Sequence, residues 1–116
     1  MPTIIKQTFD LVANDSLIIT AGATEKLNIV GLIIIADGDA GETNIATPHM
    51  PITNWLYGTS QFVGIVLDGD GGSWGLPISR DSVNFPYWTG ANSDDFWITN
   101  SAGAGRIAGA VWYYIT

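Results

Sequence analysis

The chain has 116 residues, no cysteine, one histidine, 47% hydrophobic residues and only 13% charged ones, with a formal net charge of −7. Four Lys and Arg against eleven Asp and Glu exclude a surface able to neutralise several phosphates, so nucleic acid and anionic membranes are poor partners. One histidine without cysteine excludes a zinc site built from several such ligands. Ile, Val, Thr, Phe, Tyr and Trp supply 45 residues, whereas Glu, Lys, Gln and Arg supply eight, a balance that favours strand over helix. Fourteen glycines interrupt any amphipathic window of helical length. The expectation is an all-β protein.

In chain order, Ile5, Phe9 and Leu11 alternate with Lys6, Thr8 and Asp10, the period of a strand with one wet face. A second strand is expected over Ser16 to Thr20. Lys26 to Ala36 begins by alternating and becomes apolar on both faces through Leu32, Ile33, Ile34 and Ile35, so its second half should be covered on both sides. Ile29 to Ala36 within it is the longest apolar stretch, far too short to cross a bilayer. Asp37-Gly38-Asp39-Ala40-Gly41 reads as a turn.

Glu42 to Tyr57 is the least regular part. Pro48 and Pro51 remove two ladder donors around His49-Met50, which predicts an extended loop or arm over 42–57. Ser60 to Leu67 reads as a strand, and Asp68-Gly69-Asp70-Gly71-Gly72 as a second hairpin turn. Further strands are expected at Asn84 to Trp88 (a short edge with Pro86), Asp95 to Asn100, and Arg106 to Ile115. Seven or eight short strands at this spacing predict a single-domain β-sandwich or jelly roll spanning residues 1–116.

Motifs for chemistry are thin. The two Asp-Gly-Asp turns lack the glycine and distal glutamate of a calcium loop, offering Glu42 and Pro48 or Ser73 and Ser79 instead, so ordinary turn chemistry is the reading for both. His49 has no nucleophile elbow to serve and reads as a surface histidine. Asp94 and Asp95, adjacent in an extended segment, point to opposite faces and form no catalytic carboxylate pair. The Gly-rich stretches lack the Lys-Ser/Thr ending of a phosphate loop, and the Asn14-Asp15-Ser16 sequon stands without a secretion signal. No cofactor, metal or catalytic residue is expected, and the chain reads as a non-enzyme made in a cytoplasm.

The aromatics say more. On the last strand Ile107, Val111, Tyr113 and Ile115 share one face, and Ala108, Ala110, Trp112 and Tyr114 the other. Trp97 likewise points away from Phe96 and Ile98. A two-layer domain has one inner face per sheet, so the second face needs another cover: a neighbouring subunit, a partner protein or a stacked sugar. Candidate partner-interface residues are therefore Met50, Ile52, Trp55, Leu56, Tyr57, Trp97, Trp112 and Tyr114. Sugar stacking could instead use Trp55 with Tyr57, or Tyr87 with Trp88.

Three features, in order, carry a resemblance. Ser16-Leu17-Ile18-Ile19-Thr20-Ala21-Gly22 leads into Lys26–Ala36; Asp68-Gly69-Asp70-Gly71-Gly72 is followed by Asn84-Phe85-Pro86-Tyr87-Trp88; and the chain closes on Gly109-Ala110-Val111-Trp112-Tyr113-Tyr114. Over residues 16 to 116 this order resembles the small β-sandwich decoration, or cement, proteins of tailed-phage capsids. The resemblance implies a noncatalytic virion role on the capsid surface, with the major capsid protein as partner; the low charge fraction together with strands apolar on both faces predicts self-association, a trimer being favoured. It transfers no functional residue. The alternative is a carbohydrate-binding module or fibre tip that binds a glycan through exposed aromatics; a hydrolytic enzyme is a distant third.

Overall fold

The computed structural model describes residues 3–12, 14–37, 43–49, 65–68, 70–78, 83–100 and 105–116. Nine strands lie among them: β1 (Ile5–Val12), β2 (Ser16–Ile19), β3 (Leu27–Asp37), β4 (Thr43–His49), β5 (Ile65–Asp68), β6 (Asp70–Leu76), β7 (Trp88–Thr89), β8 (Phe96–Asn100) and β9 (Arg106–Ile115). The pairs β1 with β9, β2 with β8, β3 with β6 and β4 with β5 are antiparallel and nested, like the rungs of one long hairpin whose tip joins β4 to β5. Curling that hairpin on itself brings β9 against β3 and β8 against β4. The result is two sheets, β1-β9-β3-β6 and β2-β8-β4-β5. This is the strand order of a jelly roll, which settles the sandwich-or-jelly-roll alternative. The ninth strand, β7, pairs with Asn28 and Ile29 of β3 beyond the end of β6 and so continues the β6 row.

Each sheet turns one row of side chains inward. Phe9, Leu11, Ile107 and Val111 from the first sheet meet Ile19, Phe96 and Ile98 from the second in one core. Trp88 is buried within it, its ring 6.0 Å from that of Phe96 and tilted 43°. The apolar run of β3 depends on a bulge. Ile29 pairs with Tyr113 but Gly31 with Trp112, leaving Val30 as the extra residue. That residue shifts the phase of the strand, so Leu27 and Ile29 face the core before it, and Leu32, Ile34 and Ala36 face the core after it.

Two buried asparagines tie the elements together. The amide of Asn28 donates to the Tyr114 carbonyl (3.3 Å) and Thr116 Oγ1 (3.1 Å), while its oxygen accepts from Thr89 Oγ1 (3.0 Å). Asn100 does the same between the sheets, donating from Nδ2 to the Leu11 carbonyl of β1 (3.1 Å) and to the Gly105 carbonyl ahead of β9 (3.4 Å).

Three expectations change. Thr43–His49, within the expected arm, is a strand of the second sheet. Pro48 lacks a donor but keeps its carbonyl, and β4 pairs with β8 through it, opposite Ile98. Residues 50–57 lie outside the described residues. The second Asp-Gly-Asp segment is a crossover: Asp68 pairs with Thr43 in one sheet and Asp70 with Asp37 in the other, so the chain changes layer where a hairpin was expected. Finally, the expected strand at Asn84 to Trp88 shrinks to Trp88–Thr89, consistent with the donor lost at Pro86.

Candidate functional site

Among the described residues, Asp94, Asp95, Glu25 and Asp10 are committed to the fold. Asp95 accepts the Ala21 amide (3.1 Å), Asp94 the Ala91 amide (3.2 Å), and a Glu25 carboxylate oxygen the Gly22 amide (2.9 Å). Asp10 pairs with Arg106 at 3.1 Å on the surface. Among the described residues no group of three or more His, Cys, Asp or Glu could hold a metal, and no helix is long and apolar enough to cross a membrane. The two Asp-Gly-Asp segments, far apart in sequence, meet at backbone level, with Asp37 opposite Asp70.

What the structure offers instead is two sheet faces. On the outside of the first sheet, β9 presents Ala108, Ala110 and Trp112, and β3 presents Ile33 and Ile35 beside them, in register with Ala110 and Ala108. Ile33 and Ile35 remain 39% and 41% exposed, so the second half of β3 is covered on its inner side alone. At one end of this face Trp112 is flanked by the Lys6 ammonium, 5.6 Å from its ring centre, a favourable cation–π distance. A Cβ on Gly31 would lie 3.1 Å from Ile78 Cβ and 3.2 Å from Trp112 Cε3, so glycine there lets Ile78 and the Trp112 ring close over β3.

On the outside of the second sheet, Ile18 and Trp97 are direct cross-strand partners, 52% and 43% exposed. The next pair along, Ser16 and Thr99, shares a hydroxyl hydrogen bond of 2.8 Å. His49 of β4 is the register partner of Trp97 on its other side.

Of the predicted interface residues, Trp97 is exposed and Trp112 half-buried, on outer faces of different sheets. Tyr114 is corrected: it is buried, and its hydroxyl donates to the Val83 carbonyl at 2.9 Å, so its cover comes from its own chain. Met50, Ile52, Trp55, Leu56 and Tyr57 lie outside the described residues. The Tyr87–Trp88 stacking platform is also corrected, because Trp88 is in the core and Tyr87 packs on that core with its hydroxyl on the Pro77 carbonyl at 2.6 Å. Sequence reasoning missed Ile18, Ile33 and Ile35. The signal was available in strands apolar on both faces, but which isoleucines point outward depends on the bulge at Val30 and on the β2–β8 register.

No protein-family model matches the chain, and no curated protein matches it in sequence. Among solved structures, the chain is similar to the Drosophila NLP core, in a study of pentamer formation and histone binding, at 14% identity and a TM-score of 0.48 over 95% of this chain and 98% of that one. A Bacillus endospore appendage protein, from disulfide-linked pili, shares 18% identity at a TM-score of 0.42 over 98% and 89%. VP2 of the infectious bursal disease virus subviral particle shares 13% identity at a TM-score of 0.34, over 97% of this chain and 32% of that one. The jelly-roll assignment rests on the strand order and not on these likenesses.

Proposed function

We propose that this chain is a structural virion protein of the decoration, or cement, type, made in the host cytoplasm and seated on the outside of a tailed-phage head. Its partners in this reading are the major capsid protein and further copies of itself. The observation that carries the reading is the pair of apolar outer faces, marked by Ile33 and Ile35 on one sheet and Ile18 and Trp97 on the other. A chain with 13% charged residues that leaves such rows outward is suited to having them covered by neighbours in an assembly. The acidic groups bound to backbone or to Arg106 favour a binding role over catalysis.

Trp97 beside the Ser16–Thr99 hydroxyl pair also suits a stacked sugar, so the test has two arms. Trp97→Ala combined with Ile18→Ser removes one cross-strand pair on the outer face, worth about 1 kcal/mol, and should lower the melting temperature by only a few degrees. On undecorated capsids of the virus that carries this coding sequence, the parent should reach saturable occupancy. The variant should bind at least about tenfold more weakly, since a buried interfacial Trp is worth about 2 kcal/mol. Failure of the parent to occupy the capsids, with retention on a glycan array that the variant loses, overturns the cement reading; occupancy unchanged in the variant takes the capsid contact off this face.

A further inference from the structure

β1 is an edge strand of the first sheet, paired with β9 without a break from Ile5 to Val12. The far end of the ladder fixes which of its peptide groups are free. Thr116, just past β9, exchanges both backbone bonds with Lys26, at 2.9 and 3.0 Å, so Thr116 and, by alternation, Tyr114, Trp112, Ala110 and Ala108 turn their peptide groups toward β3. The residues between them serve β1, where they oppose Ile5, Gln7, Phe9 and Leu11. Lys6, Thr8, Asp10 and Val12 therefore direct N–H and C=O off the edge. Two bonds agree: Gln7 Nε2 donates to the Thr8 carbonyl at 3.3 Å, and the Asp15 amide to the Val12 carbonyl at 3.1 Å. The usual guards of such an edge are absent or drawn aside. β1 holds no proline or glycine and no bulge, while Lys6 lies over Trp112 at 5.6 Å and Asp10 bonds Arg106 at 3.1 Å, so both charges are held toward β9.

We propose that the β1 edge pairs antiparallel with the β1 edge of a second copy, about a two-fold axis normal to the sheet at Thr8. Thr8 then exchanges both backbone bonds with the partner's Thr8, and Lys6 and Asp10 exchange theirs with the partner's Asp10 and the partner's Lys6. Lys6 and Asp10 stand two residues before and after Thr8, so this register sets each ammonium against the other chain's carboxylate on the outer face. Centring the pair on Lys6 or on Asp10 would oppose like charges, and beyond Asp10 the Val12 carbonyl is already taken by Asp15. The pairing is isologous, as a closed dimer requires, and specifies a two-fold where the sequence suggested a trimer.

An axis normal to the sheet turns the second sheets of both copies the same way. Both Ile18–Trp97 faces then look to one side, as two copies seated on one surface need. That consequence rests on the docking face proposed above; the edge pairing itself does not. In the free chain water serves the edge groups, so pairing exchanges one set of hydrogen bonds for another. The dimer is accordingly weak in dilute solution and strengthens where copies are concentrated on a surface.

Because the chain lacks cysteine, introduced thiols report the register. Across the proposed pair the two copies of residue 8 stand about 5.5 Å apart at Cα, within disulfide reach, and the two copies of residue 10 about 14 Å apart. Thr8→Cys and Asp10→Cys chains, each shown by circular dichroism to be folded, are equilibrated in a glutathione redox buffer over a range of chain concentrations. Thr8→Cys should give at least about tenfold more disulfide-linked dimer than Asp10→Cys. Adding Lys6→Glu to Thr8→Cys sets a carboxylate against the partner's Asp10 at both ends and should cut the dimer about tenfold. Adding Asp10→Lys as well restores opposite charges and should bring the dimer back, a recovery that a merely destabilised chain would not show. Equal cross-linking at the two positions, no dimer from Thr8→Cys up to millimolar chain, or no recovery with Asp10→Lys overturns the pairing. Capsid occupancy without the Thr8→Cys dimer removes the pairing and leaves the decoration reading standing; the dimer with its charge-swap recovery, but without occupancy, does the reverse.

Discussion

Asn100 is fully buried where β8 meets β1 and β9, and replacing it separates two physical causes of instability. Its backbone amide donates to the Asp15 carbonyl and its carbonyl accepts from Asn14, both at 2.9 Å, and these bonds survive any substitution that keeps the backbone. Its side-chain amide serves the Leu11 and Gly105 carbonyls, and those bonds do not survive. Leaving a buried acceptor without a donor costs about 1–3 kcal/mol, the 3.4 Å contact falling at the low end, so Asn100→Ala should lose about 2–4 kcal/mol. For a domain of this size that is a fall in melting temperature of about 8–15 °C. Asn100→Leu restores the volume without the donors, so it should fall as far as the alanine variant. Urea unfolding followed by tryptophan fluorescence and by circular dichroism gives both free energies. A leucine variant melting within about 2 °C of the parent would show that the site is held by filling and not by hydrogen bonding, and would refute the account.

Gly109→Ala should be among the most damaging single changes, because a Cβ there drives into the Ile33 carbonyl oxygen and comes within 3.0 Å of Phe9 Cζ; a loss of about 3 kcal/mol or failure to fold is expected in the same unfolding assay. Tyr114→Phe removes the bond to the Val83 carbonyl and should cost about 1 kcal/mol, read as a shift of the urea midpoint. Arg106→Ala breaks an exposed pair and should change stability by less than about 1 kcal/mol, with the difference shrinking further in high salt. Calcium should leave the melt within about 2 °C of its value in chelator, since neither Asp-Gly-Asp segment supplies the distal glutamate of a calcium loop; a rise of many degrees would contradict that.

Where the sequence was legible, side-chain period decided the matter. Ile5 to Leu11 alternates and β1 follows it, while Phe96 to Ile98 and Arg106 to Ile115, rich in β-branched and aromatic residues on both faces, form β8 and β9. The period also placed Trp97 outward. It could not place Ile33 and Ile35, because one extra residue at Val30 reverses the phase, and a run of isoleucines hides the reversal. Pro48 misled because losing one donor does not stop β4 from pairing with β8 through that residue. The Asp68–Asp70 segment misled differently: aspartate and glycine announce a change of direction, but nothing in them says whether the chain returns to the same sheet or crosses to the other. Trp88 lay beyond local reasoning, since its burial comes from pairing with Ile29, distant in sequence.

The nested strand order also governs when the protein can form. β9 lies between β1 and β3, and β8 between β2 and β4, so the second position of each sheet is filled by a strand synthesised after the other described strands of that sheet. Until they emerge, β1 and β2 have no strand to pair with, and neither layer can close. Folding must wait for β8 and β9 and proceed through contacts distant in sequence, the regime of slow folders that expose sticky edges on the way. A chain cut after Asn100 would therefore lose β9 from the middle of its first sheet and, with it, the fold, whereas loss of the short edge strand β5 would leave the central pairings of both sheets in place.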